Sequence, residues 1–261
     1  MTKLCPTLLG VLFLCFALPA PAMETLVFCL EKSDVRPWRT QDGGGLNIEL
    51  LNRVAKRLGV RFEYAGMPWK RCLSELKANT VSGTIGASFK ADRLEMGAYP
   101  GGATPDNNKR LNMDRYVLLR KKGSGLEWDG KAFRNLNGPV GIQLGYSVGE
   151  QLRNLGVTVD EGAQKAEELA KKLAAGRLAA AAMLDGEAEA LFESNPKLAA
   201  QLEELPIPLV QKPYFLMLSW DFMNNRRDLA TRIWNTIEDV RKGPEYQKLE
   251  RQALKSTRSS P

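Results

Sequence analysis

Short apolar runs of β type alternate with amphipathic helical stretches over the first ninety residues, and this alternation limits the choice of fold more than any other feature. Thr25 to Leu30 is a β-type run, followed by a loop from Arg36-Pro37-Trp38 to Gly43-Gly44-Gly45. Leu46, Leu50, Leu51, Val54 and Leu58 then recur at helical spacing, with Gly59 as the stop. Val60 to Tyr64 reads as a strand, Trp69 to Lys77 as a helix, and Thr84 to Phe89 as a strand. Such an order predicts a parallel sheet covered by helices.

A second unit of the same kind begins near residue 139. Pro139 to Leu144 is strand-like, Gly145-Tyr146 turns, and a helix opens at Ser147, which stands in capping-box spacing with Glu150. Free N–H groups at that helix start would favour an anion. Gly156 to Val159 is predicted as a strand, Ala163 to Ala174 as a helix, and Ala179 to Leu184 as a buried strand with Asp185 at its carboxyl end. Glu187 to Ser194 reads as a helix. The tail does not extend this unit: Tyr214 to Ser219 is a strand and Leu229 to Lys242 a long helix broken by Gly243-Pro244. Ser256 to Pro261 is a polar end, expected to be disordered.

The N-terminus predicts export. A basic start at Lys3, an apolar run from Leu8 to Leu18 and Ala20-Pro21-Ala22 form the pattern of a cleaved signal peptide over residues 1–22, with the mature chain beginning near Met23. The run is too short to span a bilayer comfortably. Cys5 and Cys15 fall within this leader. Cys29 and Cys72 follow it, and in an oxidising compartment two readings stand: a disulfide, or two separate buried thiols. The chain has no histidine, which removes His-based acid–base chemistry, Ser/His/Asp triads and His metal sites together. The net charge is +7, but the basic residues are scattered among acids and form no nucleic-acid stripe. No metal or cofactor is expected.

Gly83 to Arg93 carries the clearest binding chemistry. An apolar strand ends in small residues, turns, and presents one arginine, whose planar fork suits a carboxylate. Small residues before it let backbone N–H groups approach the same anion.

The order of Pro37-Trp38, Gly45-Leu46, Ile48 to Leu51, Trp69, Ser88 to Arg93, Val140 to Ser147, Ala180 to Asp185, Tyr214 to Ser219 and the Trp234-to-Tyr246 helix resembles the bacterial family 3 periplasmic solute-binding proteins. These are the amino-acid-binding components of ABC transporters, and the resemblance covers roughly residues 25–253. It implies an α/β, two-lobed type II periplasmic-binding-protein fold. Each lobe is then a mostly parallel sheet flanked by helices, and two hinge crossovers join them near Tyr116 to Lys122 and Val210 to Tyr214. Lobe 1 is expected over residues 23–119 plus 213–261, and lobe 2 over 120–212. By the same resemblance Arg93 grips a ligand α-carboxylate, supported by Ser88 and by Gly145, Tyr146 and Ser147, while Asp185 pairs with the α-ammonium. Trp38 and Trp69 would wall the side chain. Lys90 stands where many relatives carry threonine, and Lys70-Arg71 adds two cations beside the presumed cleft. An acidic ligand is expected if Lys90 or Arg71 reaches the pocket.

The resemblance further implies a periplasmic monomer that binds an amino acid or similar small zwitterionic solute and delivers it to an inner-membrane ABC permease. Two other readings share the scaffold. One is a dehydratase acting on cyclohexadienyl acids such as arogenate, with Glu187 or Asp185 as general acid. The other is a ligand-sensing partner of a membrane receptor.

Overall fold

The computed structural model describes residues 23–258; the leader assigned to residues 1–22 lies outside the described residues. In chain order the strands are β1 (Thr25–Glu31), β2 (Arg61–Met67), β3 (Gly83–Ser88), β4 (Gly97–Ala98), β5 (Asn112–Lys121), β6 (Glu127–Trp128), β7 (Phe133–Arg134), β8 (Val140–Gln143), β9 (Val159–Ala163), β10 (Ala180–Leu184), β11 (Leu202–Glu204) and β12 (Val210–Ser219). The helices are α1 (Leu46–Leu58), α2 (Trp69–Lys77), α3 (Val148–Asn154), α4 (Ala166–Ala174), α5 (Asp185–Ser194), α6 (Pro196–Gln201), α7 (Trp220–Asn225), α8 (Arg227–Lys242) and α9 (Pro244–Arg258).

Among the described residues ten strands form one sheet, with a main path β2-β1-β3-β12-β5-β10-β8-β9. The outer thirds are parallel: β2, β1 and β3 at one end, β10, β8 and β9 at the other. They meet through two long antiparallel strands. Residues 112–116 of β5 pair with residues 210–214 of β12. Beyond that region β5 turns to β10 and β12 turns to β3, so each strand belongs to both halves. This is the chain route expected of two hinge crossovers.

Local sequence explains the first half well. Leu50, Leu51 and Val54 are fully buried on the inner face of α1, and Gly59 ends the helix at φ 68°, where its N–H reaches the carbonyl of Lys56. Burying each of these side chains contributes roughly 1.5–3 kcal/mol. A second apolar cluster, including Leu119, Leu169, Leu173, Met183 and Leu198, fills the other half. Cys29 on β1 and Cys72 on α2 are joined by a disulfide, with sulfurs 2.01 Å apart.

Three elements differ from expectation. The strand predicted at 156–159 runs instead over Val159–Ala163, because Val157 bonds back to the carbonyl of Leu152 and closes the end of α3. Gly243-Pro244 ends α8 but also starts α9, since proline at a first helical position loses no hydrogen bond. Residues 256–258, expected to be disordered, belong to that helix, while 259–261 lie outside the described residues. Finally, Ser147 does not cap α3. Its backbone is itself helical (φ −71°, ψ −14°), so it cannot take the extended conformation a capping residue needs.

Candidate functional site

A narrow pocket lies where the two halves of the sheet face each other, with about 20 Å³ of free space inside it. Glu31, Arg39, Trp69, Gly86, Ser88 and Arg93 line it from the first half. Tyr146, Ser147 and Leu184 line it from the second, with Tyr116 and Tyr214 contributed by β5 and β12. That is room for about one water, so a larger molecule enters only when the two halves move apart.

Arg93 sits in a short 3₁₀ turn just after β3 and is 2% exposed. Its Nη1 donates to the Ser88 carbonyl (2.7 Å) and its Nη2 to the Gly145 carbonyl (2.9 Å), so one guanidinium ties both halves together. Trp69 lies beneath it, the guanidinium carbon 5.2 Å from the ring centroid. Two of the five guanidinium donors are thus committed to backbone, and the remainder can meet an anion. Ser88 Oγ and Ser147 Oγ are 2.6 Å apart, a second direct contact between the halves. Lys212 on β12 donates to the Ser147 carbonyl at 3.4 Å.

Two residues expected in the pocket do not line it. Asp185 follows Leu184, and alternation at the end of β10 puts Leu184 toward the pocket while the Asp185 carboxylate accepts from Arg115 Nε at 2.8 Å. Trp38 is packed into the hydrophobic core, and its neighbour Arg39 takes the cleft face instead. None of the three cations flagged in the sequence, Lys70, Arg71 and Lys90, lines the pocket; Lys90 pairs with Asp92, and Arg71 with Glu75.

Three charged residues in and around the site were not expected there as binding groups. Arg39 is 6% exposed, donates to Ser33 Oγ at 3.1 Å, and approaches Glu187 at 4.0 Å. Glu187 is buried at the start of α5 and accepts from Tyr146 Oη (2.9 Å), Gln143 Nε2 (3.1 Å) and Ser33 Oγ (3.2 Å). Glu31 ends β1; burial pushes its carboxyl up to about 7, with the nearby Arg39 guanidinium and the Trp69 N–H pulling the other way. The only signals in the sequence were an isolated arginine after Pro37-Trp38 and an acid at the end of a strand. Neither shows a periodicity that separates a site residue from a surface one.

With this geometry the molecule has the two-lobed type II periplasmic-binding-protein fold. No family model matches the sequence. The chain is similar to the arginine-binding extracellular protein ArtP of Bacillus subtilis (strain 168), at 25% identity over 179 residues that cover 64% of this chain and 64% of that protein. The match therefore spans less than two thirds of that relative. Solved structures share the fold over far more of the chain. An ancestral arginine-binding protein bound to glutamine has 21% identity and a TM-score of 0.66, covering 88% of this chain and 97% of its own. The substrate-binding protein of an amino acid ABC transporter has 19% identity, a TM-score of 0.66 and coverage of 88% and 99%. The GluR0 ligand-binding core from Nostoc punctiforme in complex with L-glutamate has 18% identity, a TM-score of 0.64 and coverage of 87% and 98%.

Proposed function

We propose that the protein binds an amino acid, or a similar small zwitterionic solute, between two closing lobes and delivers it to a membrane ABC importer. In this reading lobe 1 comprises residues 23–119 plus 213–261, lobe 2 comprises residues 120–212, and the β5/β12 pair is the hinge. The observation that carries it is Arg93, buried in a pocket shared by both halves with part of its fork left for an anion. Ser88 and Ser147 flank the carboxylate side, Tyr146 gives its hydroxyl to Glu187, and Trp69 supports the guanidinium from below. The relative ArtP, named as arginine-binding and extracellular, supports the ligand class and an exported location. No helix among the described residues is long and apolar enough to cross a membrane. The protein acts as a monomeric binding protein, with no catalytic step.

Binding would couple to shape, because a ligand touching both lobes favours the closed form by its differential affinity. A thermal-shift screen of the mature protein against the common amino acids and small organic acids tests the reading. A ligand at about 100 times its Kd stabilises the fold by about 2.7 kcal/mol, enough for a clear rise in Tm. Stabilisation by at least one amino acid is expected. A flat response to the whole panel would overturn the proposal.

A further inference from the structure

We infer that the acid in the second lobe that receives the ligand's cationic group is Glu187, acting with Gln143, and that Asp185 takes no part. This rests on the amino-acid reading above and deepens it. The Glu187 side chain is 1% exposed. Its Oε1 collects the donors from Tyr146, Gln143 and Ser33, whereas its Oε2 is buried with no hydrogen-bond partner in the protein. Gln143 Oε1 is also buried without a partner.

The orientation of Gln143 follows from the network, since its Nε2 donates both to Glu187 Oε1 and to Tyr146 Oη. The amide oxygen is thereby turned away from the carboxylate as a second acceptor. Two buried acceptors on adjoining side chains call for donors, which a ligand or water can supply, because a buried acceptor left unmatched is costly. An ammonium brings three donors and a guanidinium five, each with the positive charge that suits Glu187.

The position of these acceptors fits a ligand held by Arg93. Glu187 and Gln143 line an open recess that also includes Glu31, and Glu31 in turn lines the Arg93 pocket. Glu31 is the lining residue the two share, so with the halves moved apart a ligand whose carboxylate is on Arg93 would reach this recess past Glu31. Asp185, by contrast, is already neutralised by Arg115 at 2.8 Å.

Isothermal titration with L-arginine, L-glutamine and agmatine, which carries a guanidinium and an ammonium but no carboxylate, tests the assignment. For whichever of the two amino acids wild type binds more tightly, Glu187→Gln should weaken affinity by about tenfold or more, the scale of a lost charge-assisted bond. Asp185→Asn should change it by less than about threefold, as for a residue whose surface ion pair contributes little. The inference is overturned if Asp185→Asn carries the loss, or if Glu187→Gln binds like wild type, which would mean that water serves the two acceptors. Circular dichroism checks folding; if Glu187→Gln does not fold, Gln143→Met removes one acceptor and should still weaken binding. Agmatine binding without any amino-acid binding would overturn the amino-acid reading and keep the cation subsite. If wild type binds none of the three, the cation subsite is overturned.

Discussion

At the scale of residues, the site is a small set of buried charges whose mutual spacing decides what they can hold. Arg93 is tied to two carbonyls from opposite halves, so with the halves together its orientation is fixed from both sides. Asp114 on β5 and Glu31 on β1 are both pushed up to about 7, in each case chiefly by burial. Their folded-state values lie above the ordinary carboxylate range, so the folded protein holds protons that the unfolded chain has released. Stability is therefore greatest at the acid end of the window and declines as pH rises toward about 7. Carboxyls held low, such as Asp160 and Glu167, lose their charge only at more acid pH and do not oppose this trend. The melting temperature should fall between about pH 5 and about pH 8, and Glu31→Gln should flatten part of that fall. A melting temperature that climbs across the same range would contradict these environments.

At the scale of elements, the legible parts were those whose information is local. The α1 helix has an apolar stripe and a glycine stop within fourteen residues, and its boundaries in the structure match the pattern. Truncating the stripe by Leu51→Ala should cost about 2–5 kcal/mol in denaturant unfolding, because Leu51 is fully buried. The strands β5 and β12 were less legible, since their pairing joins residues about a hundred positions apart and nothing local encodes it. The same limit applied to the site. Arg93 announced itself by the small residues before it, while Arg39 and Glu187 meet only in the folded chain. Asp185 was misplaced because the face of a side chain at a strand end depends on where the strand stops. The disulfide was one of two open readings, and the structure resolves it by bringing β1 and α2 together. It closes a separation of 43 residues, so replacing both cysteines with alanine should cost about 2–4 kcal/mol by loop entropy.

At the scale of the whole molecule, the two halves meet closely enough for single atoms to matter. A β-carbon on Gly186, in the first turn of α5, would lie 2.2 Å from the Arg36 carbonyl oxygen and 2.5 Å from the Arg36 nitrogen. Only glycine lets α5 approach the first half at this point, and that approach brings Glu187 to Ser33 and Arg39. Gly186→Ala should therefore hold the lobes apart while the helix itself accepts alanine readily. We expect little change in the melting temperature without ligand, a larger radius of gyration by small-angle scattering, and affinity reduced by about tenfold or more. Wild-type affinity in this variant would show that the contact is not needed for the bound form.

The central claim is that Arg93 holds the carboxylate of a ligand clamped between the lobes. Isothermal titration of Arg93→Met against the amino acid that wild type binds most tightly tests it most directly. Removing one partner of a buried ion pair costs about 3–5 kcal/mol, so the account predicts at least about a hundredfold loss of affinity in a variant that remains folded. Affinity within about threefold of wild type would contradict it.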